Sequence, residues 1–166
     1  MRELTADQEA LLARGRAAFE VFVRDAGPLV DELVSMLAPH DVEACRANLE
    51  VLLPPLERLL ANEVLDPDAL ARAGTRVTFV VAEFLRRSFG GVWALDDVPG
   101  SPSFAHPVID IPLRGPAHLR VDPGRLAYDF LLSPPPRSLF RVLEPVLENV
   151  LRGRRERRRT ESGDGP

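Results

Sequence analysis

Residues 83–95 read EFLRRSFGGVWAL, and the periodicity of the chain changes inside them. Before Gly90-Gly91 the apolar residues Val77, Val80, Val81, Phe84, Leu85 and Phe89 recur at helical spacing over more than half a circumference, the pattern of a helix that others pack around. After it the period falls to two, in Val92-Trp93-Ala94-Leu95 and again in Pro107-Val108-Ile109-Asp110-Ile111-Pro112-Leu113, the pattern of strands. Glycine accepts the left-handed conformation that a helix end favours, so Gly90-Gly91 predicts a helix stop followed directly by a strand.

Working outward toward the N-terminus, Asp66-Pro67-Asp68 predicts the start of that central helix, a capping side chain followed by a residue whose fixed φ suits the first turn. Thr5-Ala6-Asp7-Gln8 predicts an earlier start, a Thr with Gln three residues on. The helix it opens carries Leu12, Phe19, Phe22 and Val23 on one stripe and is expected to end near Asp25, at Gly27-Pro28. A second, shorter helix is expected from Pro28 to Pro39. A third, from Asp41, keeps Val42, Cys45, Leu49, Leu52, Leu53 and Leu56 in register and should kink or split at Pro54-Pro55.

Toward the C-terminus, Asp96 to Ala105 is a Pro-, Gly-, Ser- and Asp-rich loop between two strands, and Leu119 to Val121 offers a short third. Asp122-Pro123-Gly124 opens a helix that Ser133-Pro134-Pro135-Pro136 ends. A last helix from about Arg137 has the stripe Leu139, Val142, Leu143, Val146, Leu147 and Val150, with Pro145 inside it. The expectation is an α+β fold: an N-terminal bundle of about four helices, a small antiparallel sheet of two or three strands, and two C-terminal helices. Residues 1–151 form one domain, and 152–166 an Arg-rich tail with nothing to bury, expected to be disordered.

Composition sets the outer bounds. The chain has 166 residues, 45% hydrophobic and 28% charged, with a net charge of −4, ordinary for one globular domain. Its single cysteine, Cys45, excludes an intramolecular disulfide and a multi-thiolate zinc site, and falls on a predicted apolar stripe. No window supplies the roughly 18 consecutive apolar residues of a membrane helix, and the start runs into a polar helix cap, so the expected location is the cytoplasm. All 21 basic residues are arginine; the body is acidic and the last fifteen or so residues are basic.

The stretch from about Val77 to Leu151 resembles an uncharacterised group of bacterial α+β domains in which a helix ends in an E-x-x-R-R-x-x-G-G-x-W pattern, here Glu83, Arg86, Arg87, Gly90, Gly91 and Trp93. Such domains are similar in continuing with a short apolar strand and a D-P that opens a helix, matched by Val108 to Ile111 and by Asp122-Pro123. The resemblance implies a fold. It also implies an accessory or immunity-like role of the kind small acidic domains play in bacterial conflict systems.

The residues themselves offer three chemical candidates. Glu83 with Arg86 and Arg87 could bind an anion or act as acid or base; the plainer reading is an ion pair tying the helix end to the strands, with Trp93 as a core anchor. His106 and Asp110 share a strand face and His118 follows a turn, a set that could hold a metal but that also lies on the wetter face, where polar residues belong. Arg152, Arg154, Arg155, Arg157, Arg158 and Arg159 could contact phosphates of a nucleic acid, or form a solvated tail. No G-x-S-x-G elbow, S-x-x-K pair or phosphate loop is present, and nothing calls for a cofactor. The reading is a non-catalytic protein-binding module whose partner is another, possibly basic, protein; the alternative is a nucleic-acid-associated protein that uses the Arg-rich tail.

Overall fold

The computed structural model describes residues 4–113 and 115–161, with side chains as far as residue 154. Six α-helices and a three-stranded antiparallel sheet follow in the order α1 (Ala6–Leu37), α2 (Val42–Ala47), a 3₁₀ turn (Leu49–Leu52), α3 (Leu53–Leu60), α4 (Pro67–Phe89), β1 (Val92–Leu95), β2 (Pro107–Pro112), β3 (His118–Val121), α5 (Pro123–Leu132) and α6 (Leu139–Glu161). The α+β class and the order of helices, sheet and helices are those the sequence predicts.

Helix α4 is the centre. The Asp66 side chain accepts the Ala69 N–H at 2.7 Å, and Gly90 closes the far end at φ 65°. Thr78, Phe79, Val80, Val81, Ala82, Phe84 and Leu85 are all buried, so this helix is hidden on every side from Val77 to Leu85. Helices α1 and α5 and strand β2 pack on it. Strand β2 is the middle strand, with Trp93 opposite Ile109 in β1 and Ile109 opposite Val121 in β3. Ile109 and Ile111 are wholly buried against α4, as the alternation predicts.

Three boundaries differ from expectation. Helix α1 passes through Gly27-Pro28 without stopping. Pro28 cannot donate to the carbonyl of residue 24, but Ala26, Val30, Leu33 and Val34 stay in phase and are buried, so tertiary packing outweighs the local penalty. The third segment breaks at Asn48, whose side chain accepts the Glu50 N–H at 3.0 Å. Pro54 and Pro55 then fall in the first turn of α3, where a missing N–H costs nothing. Finally, α6 continues past Leu151 to Glu161, so the proposed tail boundary lies inside a helix. Residues 162–166 of that tail lie outside the described residues.

Just past Leu151, α6 still touches the rest of the chain. Gly153 packs against Leu113 so tightly that an added Cβ would stand 3.2 Å from its Cδ2. Arg154 donates from Nη2 to the Phe89 carbonyl at 2.7 Å and lies 5.3 Å from the centre of the Phe89 ring. A guanidinium at the C-terminus of α4 also meets the negative end of its dipole.

Candidate functional site

The residues of the Glu-to-Trp pattern meet at one carboxylate. Glu83 is 4% exposed and accepts from four donors: Arg86 Nε at 2.8 Å and Trp93 Nε1 at 3.3 Å on Oε1, and Arg86 Nη2 at 2.8 Å and Arg87 Nε at 3.0 Å on Oε2. Helix α4 places Arg86 and Arg87 one turn beyond Glu83, on the same face. Gly90-Gly91 turns the chain back so that Trp93 reaches the same carboxylate. Gly91 is there for space: a Cβ would stand 2.5 Å from Ile109 Cγ2 and 3.3 Å from Ile111 Cγ1.

Burial alone would raise the pKa of Glu83. The hydrogen bonds and charges of Arg86 and Arg87 outweigh it and hold the carboxyl below the usual carboxylate range. Ionised, with its lone pairs taken, Glu83 is an acceptor already filled rather than a free general base. Trp93 adds packing, edge-on to Phe22 at 5.4 Å between ring centres, and Phe22 in turn lies 4.7 Å from Phe79. The arginines are a third or more exposed and line an open cleft of about 440 Å³ with Arg24 and Val92. Arg87 also donates to the Arg46 carbonyl at 3.4 Å.

The histidines are drawn apart. Strand β2 begins at Pro107, so His106 precedes it, and His106 Nδ1 lies 3.7 Å from Asp122 Oδ2. His118 Nδ1 lies 3.1 Å from Asp110 Oδ1 across the β2–β3 pair. Among the described residues no three His, Cys, Asp or Glu side chains come together. Cys45 is fully buried, and burial followed by the nearby Asp41 charge raises its thiol pKa, away from a reactive thiolate.

Three polar hubs escaped the sequence reading because each has at least one partner distant in the chain. Asp96, buried at the start of the 96–105 loop, accepts from the Val98 N–H, the Ser101 hydroxyl and Arg120 Nη1. Arg137 donates to the carbonyls of Leu60 at 2.9 Å, Glu63 at 2.9 Å and Leu131 at 2.8 Å, closing the ends of α3 and α5 together. Glu57 of α3 accepts the Leu139 N–H at 2.6 Å and the Phe140 N–H at 3.2 Å, a carboxylate at the positive end of α6.

That last hub shapes a groove between α3 and α6. Its floor is Leu53, Phe84, Leu139, Leu143 and Leu147, and its volume is about 220 Å³. Phe140 stands at its edge, 61% exposed, and Leu151 lies further along α6, 48% exposed. Glu50, Glu144 and Glu148 are exposed beside them. An apolar strip with a carboxylate border can accept an apolar segment that carries positive charge.

Among the described residues no helix is long and apolar enough to cross a membrane. No family model, no curated protein and no solved structure matches the chain.

Proposed function

We propose that this chain is a non-catalytic protein-binding module, accessory or immunity-like and cytoplasmic, that engages its partner through the outer face of α6 and the groove beside α3. The observation that carries this reading is Phe140: a large aromatic side chain left 61% exposed beside an apolar groove, within a border of glutamates. Leaving such a ring in water forgoes roughly 1–2 kcal/mol of burial, which a partner surface can recover. The acidic border favours a partner with positive charge at the contact. The saturated Glu83 cluster supports the same reading, because its side chains join elements of the fold.

The test is capture from native lysate with the tagged chain, with and without nuclease, beside the Phe140→Ser variant. A protein retained stoichiometrically by the unmodified chain and lost by the folded variant is the expected result. Retention of nuclease-sensitive material alone, or no stoichiometric protein, would contradict it.

A further inference from the structure

The cleft beside Trp93 carries more positive charge than the fold uses. Three arginines line it, Arg24 from α1 and Arg86 and Arg87 from the end of α4, against one carboxylate, Glu83. The chain as a whole has a net charge of −4, so this concentration runs against its composition. One guanidinium fork already neutralises Glu83, because Arg86 grips both of its oxygens at 2.8 Å. Arg87 adds a second positive charge to the same carboxylate. Asp25 meets Arg24 at Nε, 3.1 Å, where both side chains are exposed and water screens the pair. Asp31 and Glu43 pair with Arg46 instead.

Donors are left over as well as charge, since a guanidinium offers N–H groups at Nε, Nη1 and Nη2. Among the described residues Arg86 spends Nε and Nη2, Arg87 spends Nε and Nη1, and Arg24 spends Nε. Glu83 already holds Arg86 and Arg87 by their Nε atoms, so a ligand that meets their spare Nη groups forgoes little side-chain entropy. The rest of the cleft is largely apolar, with Val23, Trp93 and the 60% exposed Val92. Its volume of about 440 Å³ falls in the range of small-molecule sites, roughly 300–1,000 Å³, and is more than a bare oxyanion fills. We propose that this cleft binds a small organic phosphate monoester: the phosphoryl group bonds the spare Nη groups of Arg86, Arg87 and Arg24, and the organic part lies against Val92 and Trp93. Such a group carries about −1.5 to −2 charges at neutral pH, which answers the surplus of arginines in the lining; a monocarboxylate supplies only one. The cleft shares no lining residue with the groove between α3 and α6, so it is a second site, independent of the partner proposed there.

Trp93 is the only tryptophan of the chain and lines the cleft, so its fluorescence reports occupancy. Phenyl phosphate titrated into the full chain should change that emission saturably, with one molecule bound per chain. Inorganic phosphate and benzoate, which each keep one half of the ligand, should each bind at least about tenfold more weakly. Arg24→Ala, which leaves the contacts of Glu83 in place, and Arg87→Lys, which keeps the charge and loses the fork, should each weaken phenyl phosphate by about tenfold. Val92→Ser should weaken phenyl phosphate while inorganic phosphate binds as before, a split that a general loss of structure would not give. No saturable change, benzoate or inorganic phosphate as tight as phenyl phosphate, or affinities indifferent to Arg24→Ala and Arg87→Lys would overturn the inference. Displacement of phenyl phosphate by a lower concentration of an oligonucleotide without terminal phosphates would overturn it in favour of phosphodiesters.

Discussion

Trp93 Nε1 donates to Glu83 Oε1 at 3.3 Å, a bond that spans the end of α4, the Gly90-Gly91 turn and the start of β1. Arg86 and Arg87 bind the same carboxylate, so helix end and sheet edge are held by one buried charge. The consequences are measurable as stability.

Glu83→Ala would leave two guanidiniums and an indole N–H without their acceptor, at a cost of about 3 kcal/mol; Glu83→Gln should cost about half that. The pH dependence has a definite sign. A carboxyl held below its unfolded value stabilises the fold above the unfolded pKa, about 4.3, and loses that contribution as pH falls through the folded value. Urea midpoints should therefore separate the parent from Glu83→Gln at neutral pH and converge in acid. A gap that persists unchanged below both values would show that the charge is not what stabilises.

Gly91→Ala forces a methyl group into Ile109, which is fully buried and cannot step aside. A loss of about 1–3 kcal/mol is expected by denaturant titration. Gly90→Ala meets nothing within 4 Å but keeps φ at 65°, so its cost is the left-handed backbone alone, about 1 kcal/mol. An equal or reversed order would mean that Gly91 is not there for close packing.

Gly15 sits inside α1, where alanine is ordinarily better by about 1 kcal/mol. Its Cβ would stand 2.6 Å from the Ala105 carbonyl oxygen, on backbone that the Asp96 hub holds in place. Gly15→Ala should thus destabilise despite its propensity, visible as a lower melting temperature. A higher one would show that the 96–105 loop yields.

Arg137→Ala removes three bonds, to the Leu60 carbonyl at the end of α3, the Glu63 carbonyl beyond it and the Leu131 carbonyl in the last turn of α5. The expected cost is about 2 kcal/mol, with faster amide exchange at Leu60 and Leu131 ahead of the rest of the chain. Uniform acceleration would place Arg137 in global stability rather than in closing those helix ends.

Much of this architecture is legible because the signals are local. Thr5 with Gln8, Asp66-Pro67, Asp122-Pro123 and Gly90 are each complete within a few residues, and each cap forms as its chemistry predicts. The pattern from Glu83 to Trp93 is legible as a unit, though sequence shows only the Glu83–Arg87 spacing and not that Trp93 and Arg86 share the acceptor. What local rules miss is decided by distant neighbours. Pro28 reads as a stop until Val30, Leu33 and Val34 are seen packed on α4. Asp96 reads as a loop residue until Arg120 arrives from β3, and Arg137 as the start of a helix until the ends of α3 and α5 converge on it. The continuation of α6 is hidden for the same reason, since Gly153 and Arg154 find Leu113 and Phe89 only in three dimensions.

On the proposed function, the Glu83 cluster holds the fold and the α6 face does the binding. Lysate capture and urea unfolding of Glu83→Gln and Phe140→Ser, side by side at a temperature where both are folded, tests it most directly. Glu83→Gln is expected to keep its partner and lose stability, while Phe140→Ser keeps its stability and loses its partner. Partner loss in Glu83→Gln with capture intact in Phe140→Ser would contradict it.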